Sequence, residues 1–306
     1  MERYYSFNNY LKQIFGERVH RIGLNVGFNC PNLDGTKSSK GCIFCNNKSF
    51  IEIDNDISVE EQIRQALKFF STSKRFRNIK KFIAYFQAYT NTYGTVEKLK
   101  QVYDIVKNFP QIVGIFISTR PDCIDEEKLR LINSYTEDYL VWIEYGMQTS
   151  DNNILTWLNR GHTYEDLIKA VELTKKFPKI NIGIHLILGL PGQDVIKDAK
   201  EITKLKISGV KIHLLHVLKN TPLERLYYEH KIKILTEEEY VREVCNFLEF
   251  IPSSVVILRL ISTAKDKFLV APRWMNNKFQ VIKNIEEELV RRNSFQGIKI
   301  EKMVSF

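Results

Sequence analysis

Short β-rich runs alternate with amphipathic helical stretches along most of this 306-residue chain. The runs cover residues 19–28, 80–89, 113–121, 139–148, 180–191 and 210–218. The helical stretches between them cover residues 59–70, 96–109, 126–135, 164–177 and 195–206. A helix between two strands carries the chain back to the end of the sheet where the first strand began, so the next strand runs parallel to it. This alternation therefore predicts βαβ crossovers and a parallel sheet.

The number of strands sets the expected fold class. Six strand–helix units are fewer than a closed (β/α) barrel needs, and we predict an α/β protein built as a partial (β/α)6 barrel. A doubly wound open sheet is the alternative. We expect residues 1–221 to form the barrel. Residues 222–306, with a further β-rich run at 255–263, are expected to form a C-terminal α/β extension, packed on the barrel as one structural unit.

Composition and the N-terminus indicate where the chain works. Hydrophobic residues make up 44% and charged residues 26%, which is typical of a globular protein. No apolar run approaches the roughly 18 residues of a membrane-spanning helix, and MERYYSFNNYLKQIF does not resemble a signal peptide. We therefore predict a cytoplasmic protein without membrane contact. A net charge of +9 fits a nucleic-acid partner and a lysine-rich surface equally well.

Three of the five cysteines lie close together in the loop 29–46, which follows the first β-rich run. Cys30, Cys42 and Cys45 are soft ligands that select zinc or an iron–sulfur cluster. A structural zinc ion needs four ligands, and Cys123 would have to supply the fourth from a distant loop. Three thiolates on a [4Fe–4S] cluster leave one iron open to another ligand. A cluster at the catalytic end of the barrel is therefore favoured, with zinc as the alternative, and Cys245 is expected to be buried in a helix.

The chain resembles the YhcC-type radical S-adenosylmethionine (SAM) proteins, which are related to the radical SAM domain of the Elongator catalytic subunit. The matching blocks are GFNCPNLDGT, YFQAYTNTY, STRPDC, IEYGMQT, NRGHT, HLILGLPGQ, KIHLLHVLKNT and RLISTAK. The spacing between Cys30 and Cys42 departs from the commonest radical SAM pattern and looks like the long loop of this family. The resemblance implies a [4Fe–4S] cluster that reductively cleaves SAM to methionine and a 5′-deoxyadenosyl radical.

The same resemblance implies SAM-binding residues on the loops and strand ends around the cluster. The predicted cofactor-binding residues are Phe44, Gln87, Tyr89, Glu144, Gln148, Arg160, Gly189 and Val217. Phe44, Gly189 and Val217 are expected to face the adenine, and Glu144 the ribose hydroxyls or the amino group. For Phe44 simple loop packing is the alternative. For Glu144 it is a structural salt bridge.

Two residues are predicted to act in catalysis, Glu144 and Cys123. A carboxylate inside a barrel strand costs several kcal/mol unless it is bonded, which makes Glu144 a functional candidate. Cys123 follows the third run and is a candidate hydrogen donor or substrate-side thiol, with burial as the alternative. His185, His213 and His216 are substrate candidates or core residues. Because His213 and His216 differ by three positions, we expect only one of them to face the barrel interior.

The relation to Elongator points to tRNA as the substrate, at the side chain on position 5 of the wobble uridine. An electron donor such as flavodoxin or ferredoxin is the other expected partner. Lys37 and Lys40 in the cluster loop are candidate phosphate contacts. A radical SAM enzyme for a small metabolite or a protein is one alternative. A non-enzymatic, metal-bearing RNA-binding module is the other.

Overall fold

The computed structural model describes residues 2–46, 49, 57–76 and 78–300. The strands are β1 (Val19–Leu24), β2 (Lys81–Phe86), β3 (Ile112–Thr119), β4 (Leu140–Gln148), β5 (Asn181–Leu188), β6 (Gly209–Leu214), β7 (Val217–Leu218), β8 (Val256–Arg259) and β9 (Leu269–Ala271). The helices are α1 (Phe7–Phe15), α2 (Val59–Thr72), α3 (Val96–Tyr103), α4 (Glu126–Ser134), α5 (Asn152–Trp157), α6 (Tyr164–Lys175), α7 (Val195–Lys204), α8 (Pro222–Tyr228), α9 (Glu237–Leu248) and α10 (Lys278–Arg291).

One parallel sheet dominates the molecule, with strand order β1-β2-β3-β4-β5-β6-β8. The sheet forms a half-barrel, and β7 pairs separately with β9. A doubly wound sheet reverses its strand order part-way, whereas here β1 to β6 follow one another in sequence order. The predicted α/β class and partial barrel are confirmed.

The sheet has one strand more than the sequence predicts for the barrel. β8 comes from the predicted C-terminal extension and pairs in parallel with β6, so the extension adds a seventh strand to the sheet. The predicted run 210–218 is divided between β6 and β7, because the chain leaves the sheet after Leu214. β8 is short, and two helices separate it from β6 in the sequence. Its pairing with β6 is therefore a long-range contact that the local sequence pattern does not predict.

Side-chain caps fix where the helices begin. Thr163 accepts a hydrogen bond from the Asp166 N–H, and the Asp166 carboxylate accepts from the Thr163 N–H, which forms a capping box at α6. Thr236 and Glu239 form the same arrangement at α9. These caps satisfy backbone donors that a helix N-terminus otherwise leaves unpaired. They set the entry points of helices that cover the outer face of the sheet.

An apolar cluster closes the barrel at the end where its strands begin. Phe7 and Leu11 of α1 pack with residues on the inner side of the sheet, among them Phe116 and Trp142. The Phe116 and Trp142 rings are stacked with their centroids 5.6 Å apart. A Cβ on Gly209 would lie 2.8 Å from the Trp142 ring, so that glycine makes room for the indole. We call this cluster the aromatic plug.

The N-terminal and C-terminal segments are joined beside the plug. Ser6 forms a parallel bridge with Ile257 of β8, and the Ile257 N–H donates to the Tyr5 carbonyl at 2.8 Å. The Gln296 side chain accepts from the Tyr5 N–H and donates to the carbonyls of Pro252 and Val255. The chain entering α1 is therefore tied to the edge strand β8.

Candidate active site

A cavity of about 590 Å³ lies where the strands of the large sheet end. Its wall is formed by the cluster loop, by inward-facing residues of the strands and by the loops that follow them. Cys30, Cys42 and Cys45 all line it. The sequence-predicted cysteine triad and the strand ends therefore meet in one site.

The cluster loop is held to the barrel by specific bonds. Lys37 Nζ lies 2.6 Å from the Asp122 carboxylate and donates to the Gly161 carbonyl at 2.9 Å. Arg120 forms two hydrogen bonds with the same carboxylate, both 2.9 Å long. The Ile43 N–H donates to the Leu158 carbonyl at 3.0 Å. These contacts hold the three cysteines over the end of the barrel.

The three thiols suit a cluster better than a single metal ion. Among the described residues, no three Cys, His, Asp or Glu side chains converge closely enough to share one ion. A [4Fe–4S] cluster takes each thiolate on a different iron, so its ligands do not converge on one point. Burial, and then the charge of Cys42, raise the pKa of the Cys45 thiol to about 12. Thiolates crowded in this way are stabilised by a positively charged centre.

Two side chains contact the sulfur of Cys42. Asn32 Nδ2 lies 3.4 Å from Cys42 Sγ, and Arg160 Nη1 lies 3.7 Å from it. Arg160 also donates to the Gly146 carbonyl at 3.2 Å. A Cβ on Gly146 would lie 2.6 Å from the Arg160 guanidinium, so glycine is needed there. Hydrogen bonds to cluster sulfurs are one of the factors that set the reduction potential of a cluster.

Six of the predicted SAM-binding residues share the cavity wall with the cysteines. They are Phe44, Gln87, Tyr89, Glu144, Gln148 and Arg160. Tyr89 has φ 61° and Gln148 has φ 69°, a left-handed conformation that is costly for a residue with a side chain. Such strain tends to cluster at functional sites. Gln148 Oε1 is buried without a hydrogen-bond partner, so it can accept from a bound ligand.

Glu144 lines the cavity but is already engaged through one oxygen. Oε2 accepts from Lys211 Nζ at 2.7 Å, from the Tyr85 hydroxyl at 2.7 Å and from the Ser118 hydroxyl at 3.2 Å. Burial acts to raise the pKa of Glu144, but Lys211 and Arg21 outweigh it and the pKa is lowered. The salt bridge that was the structural alternative is thus present. Oε1 has no partner and remains able to accept from a ligand.

Three predicted site residues do not line the cavity in this structure. A Cβ on Gly189 would lie 3.0 Å from the Leu235 side chain, so the glycine makes room for Leu235 and not for a ligand in the cavity. Val217 is buried in an apolar cluster and pairs with Ala271. Cys123 is buried, and burial followed by the Asp122 charge raises the pKa of its thiol to about 12. The cavity gives these three predicted roles no support.

The prediction that only one of His213 and His216 faces the interior is wrong. His185, His213 and His216 all line the cavity. β6 ends at Leu214, so the alternation of faces along a strand does not extend to His216. His162, by contrast, lies outside the wall, and its ring nitrogens lie 3.0 Å from the Gly146 carbonyl and 3.2 Å from that of Thr163. It supports the backbone beside Arg160.

Sequence reasoning missed the buried cations of the cavity. Lys211 and Arg259 line the wall on β6 and at the end of β8, and the sequence pattern assigned neither of them a role. Lys211 Nζ also donates to the Tyr85 hydroxyl. A signal was present, since KIHLLH and RLIST each place a cation in an apolar β-rich run. A charge at such a position is costly unless it has a partner.

The sequence of the chain matches two known family models. Residues 35–205 match the radical SAM superfamily model, and residues 207–291 match the Radical_SAM C-terminal domain model. The chain belongs to the radical SAM superfamily. The match supports the [4Fe–4S] cluster, SAM as cofactor and an enzymatic role, and it removes the basis for the zinc alternative.

Similar proteins extend the match over most of the chain. YtqA of Bacillus subtilis is 34% identical over 302 residues, covering 97% of this chain and 92% of that protein. YhcC of Escherichia coli K12 is 31% identical over 278 residues, covering 89% and 88%, so the predicted YhcC-type family is confirmed. The tRNA uridine(34) acetyltransferase of Methanocaldococcus jannaschii is 32% identical over 173 residues, covering 55% of this chain and 31% of that protein.

A solved structure has the same fold. The archaeal Elp3 of Methanocaldococcus infernus superposes with a TM-score of 0.62 and 21% identity, over 88% of this chain and 63% of that chain. Among the described residues of our protein, no helix is long and apolar enough to cross a membrane.

The chain's own residues prepare the cavity for the radical SAM cofactors. The cluster and SAM together supply one-electron chemistry at carbon. Cys30, Cys42 and Cys45 would hold the cluster, and Arg160 places a fixed positive charge beside Cys42. Gln148 Oε1 and Glu144 Oε1 offer unpartnered acceptors to a bound ligand. The aromatic plug closes the opposite end of the barrel, which limits the entry of water from that side.

Proposed function

We propose that this radical SAM enzyme modifies tRNA at the wobble uridine. The observation that carries the proposal is the 32% identity to a tRNA uridine(34) acetyltransferase over more than half of the chain. Because the match covers 31% of that protein, the proposed common feature is the nucleotide acted on and not the acetyl transfer. The net charge of +9 is compatible with a polyanionic partner.

A cavity at the barrel end suits a base that leaves its stack. An anticodon loop is single-stranded, so a wobble base can be turned outward at low cost. The cavity volume of about 590 Å³ falls in the range of small-molecule sites, so the cavity suits one flipped-out base beside a cofactor. We place the enzyme in the cytoplasm, where tRNA and a flavodoxin or ferredoxin donor would reach it.

Nucleoside mass spectrometry of tRNA from a strain lacking the gene tests this function. We expect one modified wobble uridine to decrease and a precursor to accumulate. The wild-type gene and the Cys245→Ala variant should restore the profile, whereas Cys42→Ala should not. Cys245 is a matched control because it is buried in α9, away from the cavity wall. An unchanged tRNA profile would refute tRNA as the substrate and favour a small metabolite or a protein.

Lysine contacts near the cavity can be tested by tRNA binding. Lys37 is a poor choice because it holds the cluster loop through Asp122. Lys40 is exposed on the same loop, and its reversal to Glu should weaken binding and reduce its salt dependence. Lys74→Glu is the control, because Lys74 precedes β2 and so lies toward the opposite end of the barrel. Equal losses in both variants would contradict a tRNA site at the cavity mouth.

Other basic groups near the chain's surface are weaker candidates for tRNA contacts. Lys81 pairs with Glu17 at 3.0 Å, and Arg291 and Arg292 pair with Glu288. Two further basic residues of the chain, Arg77 and Lys302, lie outside the described residues.

A further inference from the structure

The pairing of three strands places basic side chains at one level of the barrel interior. His185 of β5 is paired with Lys211 of β6, and Lys211 is paired with Arg259 of β8. Paired residues of neighbouring parallel strands point to the same face of a sheet. All three side chains line the cavity. His213 lies two residues beyond Lys211 on the same face, one step closer to the cluster loop.

An irregularity in β8 turns Arg259 into the cavity. Val256 is paired with Gly209 and belongs to the inward-facing aromatic plug. Strict alternation from Val256 would point Arg259 outward. The register shifts so that Lys211, two residues after Gly209, meets Arg259, which is three residues after Val256. Bulges of this kind redirect side chains and are frequent beside active sites.

Three basic side chains in this region have a nitrogen without a hydrogen-bond partner, unlike Lys211, which is bound to Glu144. Arg259 Nε, His185 Nε2 and His213 Nε2 have no hydrogen-bond partner. In the described part of the chain, no carboxylate lies within ion-pair distance of Arg259. The two imidazole rings lie 3.9 Å apart between centroids, so their open nitrogens belong to one small region. Buried polar groups are normally bonded, and a group of open ones indicates a missing ligand.

The charges of the cavity wall are unbalanced. Five cationic side chains line it, namely Arg120, Arg160, Lys211, Arg259 and Lys265. Glu144 is the one carboxylate in the described wall, and it is bound to Lys211. Arg120 is paired with Asp122, Arg160 lies at the cluster end beside Cys42, and Lys265 has a partner of its own. Arg259 is therefore left without a counter-charge at the level of the histidines.

We propose that Arg259, His185 and His213 form a subsite for a carboxylate carried by the substrate. A guanidinium binds a carboxylate through two parallel hydrogen bonds, and each neutral imidazole can add one N–H donor. The subsite lies deeper than the cluster loop, so it would hold the end of the reacting group that points away from the cluster. The assignment rests on the enzymatic role of the chain and not on tRNA as its substrate, and it gives the group that enters the cavity a negative charge.

Ligand-observed NMR with acetate and acetamide tests the subsite directly. The two probes have similar shapes and differ in charge. With cluster-loaded, SAM-bound protein, saturation transfer to acetate should exceed transfer to acetamide. The Arg259→Met variant should bind acetate roughly tenfold to 100-fold more weakly, the loss expected when charged hydrogen bonds are removed. The Arg259→Lys variant keeps the positive charge but lacks the planar guanidinium. Its acetate affinity should lie between that of the wild type and that of Arg259→Met.

Three controls establish whether Arg259 itself binds the acetate. Arg225→Met removes an exposed arginine and should leave acetate binding unchanged. SAM affinity should also be unchanged in Arg259→Met. A lower SAM affinity would mean that Arg259 holds the carboxylate of SAM itself, which overturns the proposal. Equal binding of acetate by Arg259→Met and the wild type, with both proteins folded by circular dichroism, overturns it too.

The acetate experiment is independent of the RNA assay. If the tRNA nucleoside profile of the deletion strain does not change but the acetate result holds, the carboxylate subsite stands and the tRNA substrate is wrong. If the profile changes but acetate binds without dependence on Arg259, the tRNA function stands and the subsite is wrong.

Discussion

The two ends of the barrel interior are built from the same strands and differ in almost every property. At one end, Phe116 and Trp142 form the aromatic plug with α1. Two residues further along the same strands, the Ser118 hydroxyl donates a hydrogen bond to Glu144. The next inward position on β4 is Gly146, which admits Arg160. Each step of two residues moves one layer up the barrel, from apolar to polar.

The comparison shows how one scaffold separates stability from chemistry. The plug has few polar atoms and gains free energy from burial. The cavity end keeps unpartnered acceptors and cations, which cost free energy until a ligand binds. Changes at the plug should therefore affect stability, and changes at the cavity should affect ligands.

The largest effect is expected at the cavity end, from loss of the cluster. Cys30→Ala, Cys42→Ala and Cys45→Ala should each abolish iron–sulfur binding and SAM cleavage, since two thiolates do not hold a four-iron core firmly. Iron content and the visible spectrum after anaerobic reconstitution measure this. Cys123→Ala should retain iron. Equal loss of iron in Cys123→Ala would show that Cys123 is a ligand, against the three-cysteine assignment.

The next effect is expected at the plug. Trp142→Ala should lower the free energy of unfolding by about 3–5 kcal/mol, because a fully buried ring leaves a cavity. Denaturant titration of the cluster-free protein measures the change. Exposed Trp157→Ala is the matched control and should change stability little. If Trp142→Ala lowers the free energy of unfolding no more than Trp157→Ala does, the aromatic plug does not stabilise the fold.

A smaller effect is expected where the two ends meet, at Glu144. Glu144→Gln should lower the free energy of unfolding by about 1–3 kcal/mol, because buried Lys211 loses its counter-charge. If Glu144 also binds SAM, Glu144→Gln should weaken SAM binding measured by calorimetry, whereas Lys211→Met should not. SAM affinity that is unchanged in Glu144→Gln would make Glu144 purely structural.

The smallest effect is a pH dependence that belongs to the cavity end. Burial, then Arg160 and Arg120, lower the pKa of His162 to about 3. An unfolded histidine takes up a proton near pH 6.5, so the unfolded state binds more protons between that pH and about 3. Stability should therefore fall as the pH is lowered, by about 1 kcal/mol between roughly pH 6.5 and 5.5 for this residue.

Denaturant titrations at several pH values measure that dependence. His162→Gln should make the acid limb of the stability profile shallower by about this amount, and exposed His230→Gln should leave it unchanged. His185, His213 and His216, whose pKa is also lowered by burial, should keep the rest of the slope. Identical acid limbs in His162→Gln and the wild type would contradict the contribution of His162.

Local pattern was enough to predict the large features of the molecule. Each of the six runs in the sequence contains one of the strands β1–β6, and the last run also includes β7. The cysteine triad was also readable, since three soft ligands lie in one loop. Both signals are contained within a few consecutive residues.

The remaining features depend on distant parts of the chain. Nothing near Arg259 reveals that β8 pairs with β6, or that a register shift turns the guanidinium inward. His216 lines the cavity because β6 ends at Leu214. The apolar run continues through residue 218, so the sequence does not show where the strand ends. Lys211 could not be matched to Glu144 without the sheet register. Gly189 and Val217 do not line the cavity of this structure, and the local sequence pattern gave no sign of that.

The tie between Tyr5, Ile257 and Gln296 also has a consequence for the order in which the protein is made. A ribosome releases β1 early and β8 late, yet α1 is fixed only when both are present. Until then, the inner faces of the first strands remain exposed to solvent and to other chains. Contacts this far apart in sequence slow folding, so a nascent chain passes through a long vulnerable interval. Arg259 is part of β8, so this side of the cavity wall forms only when β8 pairs with β6.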